Sequence, residues 1–157
     1  MEDQFEIASG TIVGRNHLKP FLWKNNQDAI ALFSSKECIV ALVTDGCGSG
    51  AHSEVGSKIG GSMITRLLTD NIVCLGDVFE NDPDQLLENV RVGVLKEIRL
   101  IVKAMGGDPL RILQDYFLFS IVGAVVAPKK TMIFSVGDGA FALNGSVKEI
   151  GPFKRNE

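Results

Sequence analysis

Residues Ala41-Leu42-Val43-Thr44-Asp45-Gly46-Cys47-Gly48-Ser49-Gly50, continued by Ala51-His52-Ser53-Glu54-Val55-Gly56, change character abruptly. An apolar run ends in an acid, the acid opens a glycine-rich turn, and the turn leads into a helical pattern. That order predicts a buried strand delivering a carboxylate to an edge where main-chain amides and carbonyls are bare. Such an edge suits a metal, a phosphate or a cofactor.

Just upstream, the apolar runs Ala29–Phe33 and Cys38–Thr44 are split by Ser34-Ser35-Lys36-Glu37. This is the spacing of a hairpin with a short polar turn. The second run is apolar throughout, which predicts a central strand covered on both faces. Asp45 then ends that strand, and Asp28 precedes its antiparallel partner, so the hairpin brings the two acids together. Further upstream, Phe5–Val13 reads as a strand, and residues 15–28 read as a connecting loop holding Pro20 and a polar cluster.

Downstream of the turn the period changes. Val55, Ile59, Met63 and Leu67, with Ile64 and Leu68 beside them, predict an amphipathic helix from Ser53. Gly56 and Gly60 recur at helical spacing and allow close packing there. A second helix is expected from Asp84 to Met105, with Leu87, Val90, Val94, Ile98 and Ile101 buried. Asp82-Pro83 is its start signal and Gly106-Gly107 its stop. Leu110–Leu113 adds a short turn. Tyr116–Ala127 and Thr131–Val136 follow as strands around a turn at Pro128-Lys129-Lys130. The second of these ends in Gly137-Asp138-Gly139, again an apolar run, an acid and glycine. Ala140–Leu143 and Ser146–Ile150 form a hairpin about Asn144-Gly145.

The 157 residues suffice for one domain or a large part of one, with 45% hydrophobic and 22% charged residues. Net charge is −3 and the Lys and Arg residues are scattered, so neither nucleic acid nor an anionic membrane is an expected partner. Cys38, Cys47 and Cys74 lack paired metal-site spacing, and Cys38 and Cys74 are expected as small buried residues. There is no secretory signal pattern and no apolar run of bilayer-crossing length. These features point to a cytoplasmic setting.

Two cofactor chemistries compete for residues 43–50. The glycine-rich Asp-Gly-Cys-Gly-Ser-Gly resembles the first motif of S-adenosylmethionine-dependent methyltransferases. That motif belongs to a strand–loop–helix–strand unit, whereas two helices follow here before any strand. The alternative is a metal site. Asp28, Asp45 and Asp138 each sit at a strand edge, two of them followed by glycine, and hard cations such as Mg²⁺ and Mn²⁺ take oxygen ligands.

Asn26-Gln27-Asp28, Val43-Thr44-Asp45-Gly46-Cys47-Gly48 and Ser135-Val136-Gly137-Asp138-Gly139 resemble the first three acidic motifs of the type 2C metal-dependent protein phosphatases. Their order and the intervening two-helix segment match as well, and the resemblance is closest to bacterial members. It implies an α+β fold, a sandwich of two antiparallel β-sheets flanked by helices in αββα layers. Asp45 would bridge two Mn²⁺ or Mg²⁺ ions, with the Gly46 carbonyl on one of them and Asp28 serving the other. Asp138 matches the acid of a third, weaker site. The implied activity is hydrolysis of phosphoserine or phosphothreonine in a phosphoprotein substrate by metal-activated water, without a phosphoenzyme.

The chain also departs from the pattern. Gln27 stands where some members have an acid, and Cys47 where some carry a histidine proposed as general acid. His52 is a candidate replacement, or a helix-entry residue. The phosphate-binding arginine is expected where this chain has Trp23 and Lys24, which leaves Arg15, His17 and Lys24 as candidates. Two further metal-binding aspartates of the family, on later strands, have no counterpart in residues 1–157. The expectation is therefore the N-terminal part of a single phosphatase-like domain, incomplete at its C-terminus. The alternative is a phosphatase-like domain that binds without turnover.

Overall fold

The computed structural model describes residues 5–14, 25–74 and 76–151. Strands β1 (Asp28–Ser34) and β2 (Ile39–Gly46) come first, followed by helices α1 (Ser53–Cys74), α2 (Gly76–Asn81), α3 (Pro83–Met105) and α4 (Pro109–Tyr116). Strands β3 (Phe119–Val126), β4 (Thr131–Val136), β5 (Gly139–Leu143) and β6 (Ser146–Ile150) complete the order. The first four strands form one antiparallel sheet in the order β1-β2-β3-β4, and β5 pairs with β6 in a second. This is the expected α+β arrangement of two antiparallel sheets with helices. Every described ladder is antiparallel, so the parallel unit of a methyl-donor loop is not formed.

The β1–β2 hairpin forms as the polar break at Ser34–Glu37 predicts, and β2 is central, between β1 and β3. Among the described residues one of its faces is closely covered, and the other is covered at Ile39 but opens toward Val43. Val40, Leu42 and Thr44 are buried beneath α1, while Val43 on the other face is 51% exposed. That second face, with Ile30, Ala41, Val122 and Ala124, looks into an apolar cleft of about 420 Å³ instead of a packed layer. The wall of the cleft includes Ile7, Ala8, Ser9 and Gly10. Residues 5–14 thus differ from their expected strand. They are irregular and mostly exposed, because an alternating pattern becomes a strand only where a ladder takes its main-chain groups.

Helix α1 lies on β1 and β2 and packs on its other side against α3. Its sheet-facing stripe is not the apolar series Val55, Ile59, Met63, Leu67 but Ser53, Gly56, Ser57, Gly60, Gly61, Ile64 and Leu68. Leu67 turns instead toward α3, where a Cβ on Gly93 would sit 3.0 Å from its Cδ1. Small residues bring the first half of α1 down onto the backbone. A Cβ on Gly56 would overlap the Tyr116 carbonyl oxygen, and one on Gly60 would overlap the Phe119 ring. Beyond Gly61 the interface becomes hydrocarbon: Ile64, Leu68 and Ile72 join Val40, Leu42, Phe79 and Val125 in the core.

Helix α3 starts and stops where its signals predict. The Asp82 carboxylate accepts from Gln85 N–H at 2.9 Å, Pro83 opens the helix, and Gly106 closes it at φ 71°. Its buried stripe is Leu86, Val90, Val94, Ile98 and Val102, one position off the expected Leu87 and Ile101 at the ends. Asp108 caps α4, which replaces the expected short turn and takes Tyr116 out of the following strand. Helix α2 carries no sequence period of its own. The β5–β6 turn has Asn144 at φ 52° and Gly145 at φ 81°, the left-handed pair that a tight Asn-Gly hairpin demands. Cys38 is buried as expected, but Cys74, at the last position of α1, is exposed. No described helix is long and apolar enough to cross a membrane.

The contact at Gly56 admits a direct check. Gly56→Ala is expected to lower unfolding free energy by about 1–3 kcal/mol, because the clash is with backbone that cannot rotate away. Gly61→Ala places its Cβ 3.5 Å from Ala31 Cβ, an ordinary contact, and is expected to be neutral or stabilising by up to about 1 kcal/mol. Urea unfolding of the two variants measures the contrast.

Candidate active site

Asp28 and Asp45 are direct cross-strand partners in the β1–β2 ladder. The Gly46 N–H donates to the Gln27 carbonyl at 3.1 Å, which makes Gln27/Gly46 a hydrogen-bonded pair. The next pair along, Asp28/Asp45, is therefore of the non-hydrogen-bonded kind, in which side chains stand closest and Cα atoms are about 4.5 Å apart. The Asp28 N–H is accordingly taken by the Asn26 side chain, at 3.2 Å. On its other side Asp45 is paired with Ser120 of β3. One row across the sheet end thus reads Asp28, Asp45, Ser120.

This row lies on the sheet face away from α1, at the edge of a cleft of about 320 Å³. Asp28, Asp45, Thr11, Ser120 and Asp138 all line it. Asp138 arrives in the tight link between β4 and β5, beside Gly137 at φ 90°. A Cβ on Gly137 would sit 2.7 Å from Ser120 Cβ, so the link is pressed against the same row. The three acids expected to converge share one cleft. Among the described residues, however, no three His, Cys, Asp or Glu side chains are grouped closely enough to hold one ion together. Asp28 and Asp45 form the close pair, with Asp138 elsewhere in the cleft.

The other candidates fall elsewhere. Gly46 is buried, and its backbone is held between the Gln27 and Ser53 carbonyl oxygens. His52 does not line the cleft of the acids. Its N–H donates to the Asp115 carbonyl at 2.8 Å, its carbonyl accepts from Val55 N–H, and its ring lies 4.8 Å from that of Tyr116. At the entry to α1, His52 is thus held through its main chain, with its ring against Tyr116. The Cys47 thiol is 3.1 Å from the Ser49 hydroxyl, whose hydrogen bond, with main-chain help, holds the thiol pKa below its ordinary value. Burial pushes the Cys38 thiol the other way. Arg15, His17 and Lys24 lie outside the described residues.

Gln27 is not turned to the cleft. It is buried, and its amide nitrogen donates to Ser53 Oγ at 2.6 Å and to the Cys47 carbonyl at 3.4 Å. Sequence reasoning missed this contact, and it missed Ser53, Ser57 and Ser120. Strand alternation was the available signal: a residue next to Asp28 must point to the opposite face.

An antiparallel sheet backed by helices on one face, with paired carboxylates at the end of the other, defines an α+β domain built around an acidic cleft. The chain belongs to the protein phosphatase 2C family, which it matches over residues 13–157. No curated protein matches it.

Two carboxylates directly opposite each other repel. In chelator, Asp28→Asn is therefore expected to raise unfolding free energy by about 0.2–1 kcal/mol. A loss of stability of that size in urea unfolding would contradict the like-charge pairing.

Proposed function

We propose that this domain hydrolyses phosphoserine and phosphothreonine esters in phosphoprotein substrates with the help of Mn²⁺ or Mg²⁺. The observation that carries the reading is the Asp28–Asp45 pair on the open face of the sheet, in a chain of the 2C phosphatase family. Such cations are typically held by one or two carboxylates, with water and substrate phosphate oxygens completing the shell. Asp28 and Asp45 fit that donor set, and Asp138 adds a carboxylate for a further ion within the cleft.

When bound, the cations supply an activated water and offset charge on the phosphoryl oxygens. The chain's own residues supply the frame. Asp28 and Asp45 present oxygen ligands from adjacent strands, so their spacing is set by a ladder and not by a loop. Ser120, next in the row, offers a hydroxyl that donates or accepts beside them. Thr11 and Asp138 line the remainder of the cleft. A binding role without turnover is the second reading. It is favoured by the sparseness of the acids: among the described residues no three His, Cys, Asp or Glu side chains are grouped closely enough to hold one ion together.

Incubation with Mn²⁺ and a phosphothreonine peptide separates the two. Metal-dependent release of inorganic phosphate is expected, abolished by chelator and reduced about a hundredfold or more in Asp45→Asn. Peptide binding without phosphate release would establish the second reading. Phosphate release that is unaffected by chelator would contradict both roles assigned to the acids.

A further inference from the structure

The hydrogen bonds around Gln27 restrain the residues that flank both paired carboxylates. Gln27 and Thr44 are each 3% exposed, and Ser53 and Ser57 are fully buried. Besides its two amide bonds, Gln27 accepts at its main-chain carbonyl from Ser57 Oγ at 2.6 Å and from Gly46 N–H at 3.1 Å. Ser53 Oγ donates to the Cys47 carbonyl at 2.9 Å, and Thr44 Oγ1 donates to the Ser57 carbonyl at 3.1 Å. Gly46 completes the set by shape: a Cβ there would lie 2.9 Å from both the Gln27 and the Ser53 carbonyl oxygens.

The pleat makes this network specific to the acids. Gln27, Ala29, Thr44 and Gly46 face α1, so Asp28 and Asp45 between them face the cleft. Each carboxylate is carried by a residue whose neighbours are bonded to, or pressed against, the first turns of α1.

We propose that Gln27 is a positioning residue for the cation-holding pair: its amide, donating to Ser53 and to the Cys47 carbonyl, anchors the strand ends that carry Asp28 and Asp45 without itself reaching the ion. This rests on the reading of those acids as cation ligands. A carboxamide donates two hydrogen bonds, whereas an ionised glutamate of the same shape donates none. In Gln27→Glu, carboxylate oxygens would face the Cys47 carbonyl oxygen, acceptor against acceptor. A residue acting as a ligand behaves oppositely, since the new carboxylate would add charge toward the ion.

Calorimetric titration of the intact chain with Mn²⁺, alongside urea unfolding in chelator, tests this. Gln27→Glu is expected to weaken Mn²⁺ binding about tenfold or more, the scale on which residues that orient metal ligands act. Gln27→Met, which keeps the length and removes both donors, is expected to weaken it similarly. Ile72→Val, at the far end of α1, should lose stability without moving Mn²⁺ affinity, which separates positioning from general loosening. Unchanged or tighter Mn²⁺ binding in Gln27→Glu would overturn the proposal. Should that variant fail to fold, Ser53→Ala decides: a severalfold loss of Mn²⁺ affinity supports the proposal, and wild-type affinity overturns it. Absence of Mn²⁺ binding by the wild type would instead overturn the underlying reading of the acids, and the proposal with it.

Discussion

The pairing of Asp28 with Asp45 across the β1–β2 ladder constrains everything around it. In a non-hydrogen-bonded antiparallel pair the side chains stand closest, so the ladder sets two exposed carboxylates beside each other against their own repulsion. The sheet must therefore be stiff at that end, and the opposing face must bind something that holds it. Helix α1 meets both needs. Its first turns bring Ser53, Gly56 and Ser57 against the strand ends, and its later turns bring Ile64, Leu68 and Ile72 into the hydrocarbon core. The helix is polar and close-packed where it supports the acids, and apolar where it supports the fold.

That division explains why the glycines sit where they do. Gly46 lets β2 end against two carbonyl oxygens, and Gly56 lets α1 descend onto the Tyr116 carbonyl. Together they allow the buried hydroxyls of Ser53 and Ser57 to reach main-chain acceptors directly, so that these two groups are bonded instead of merely buried. The cost in helix propensity of a glycine-rich first half is offset by packing that no larger residue permits.

Much of this was legible in the chain. The hairpin followed from a polar break between two apolar runs, and the approach of Asp28 to Asp45 followed from the hairpin. Helix α3 announced itself through Asp82-Pro83 and Gly106. The face of α1 was harder to read, because hydrophobic periodicity points to Val55 and Ile59 while glycine and serine make the contact. Val43 looked covered because its neighbours are apolar, but apolarity does not state whether a second layer packs there. Ser120 joins the acidic row only through the β2–β3 register, a pairing across four helices that no local pattern reveals. Phe5–Val13 alternates like a strand, yet no ladder among the described residues takes it up. Gln27 was the clearest reversal: as a neighbour of Asp28 it resembled a lost ligand, and the pleat turns it to the other side of the sheet.

The central claim is that a divalent cation lands on the Asp28–Asp45 row. Paramagnetic broadening of backbone amide signals during a substoichiometric Mn²⁺ titration measures this most directly. Loss of the Asp28, Ala29, Thr44, Asp45 and Ser120 signals first, and their persistence in Asp45→Asn, is the result this account predicts. Broadening centred on other acidic groups, such as Glu80 or Glu88, with the row untouched, would contradict it.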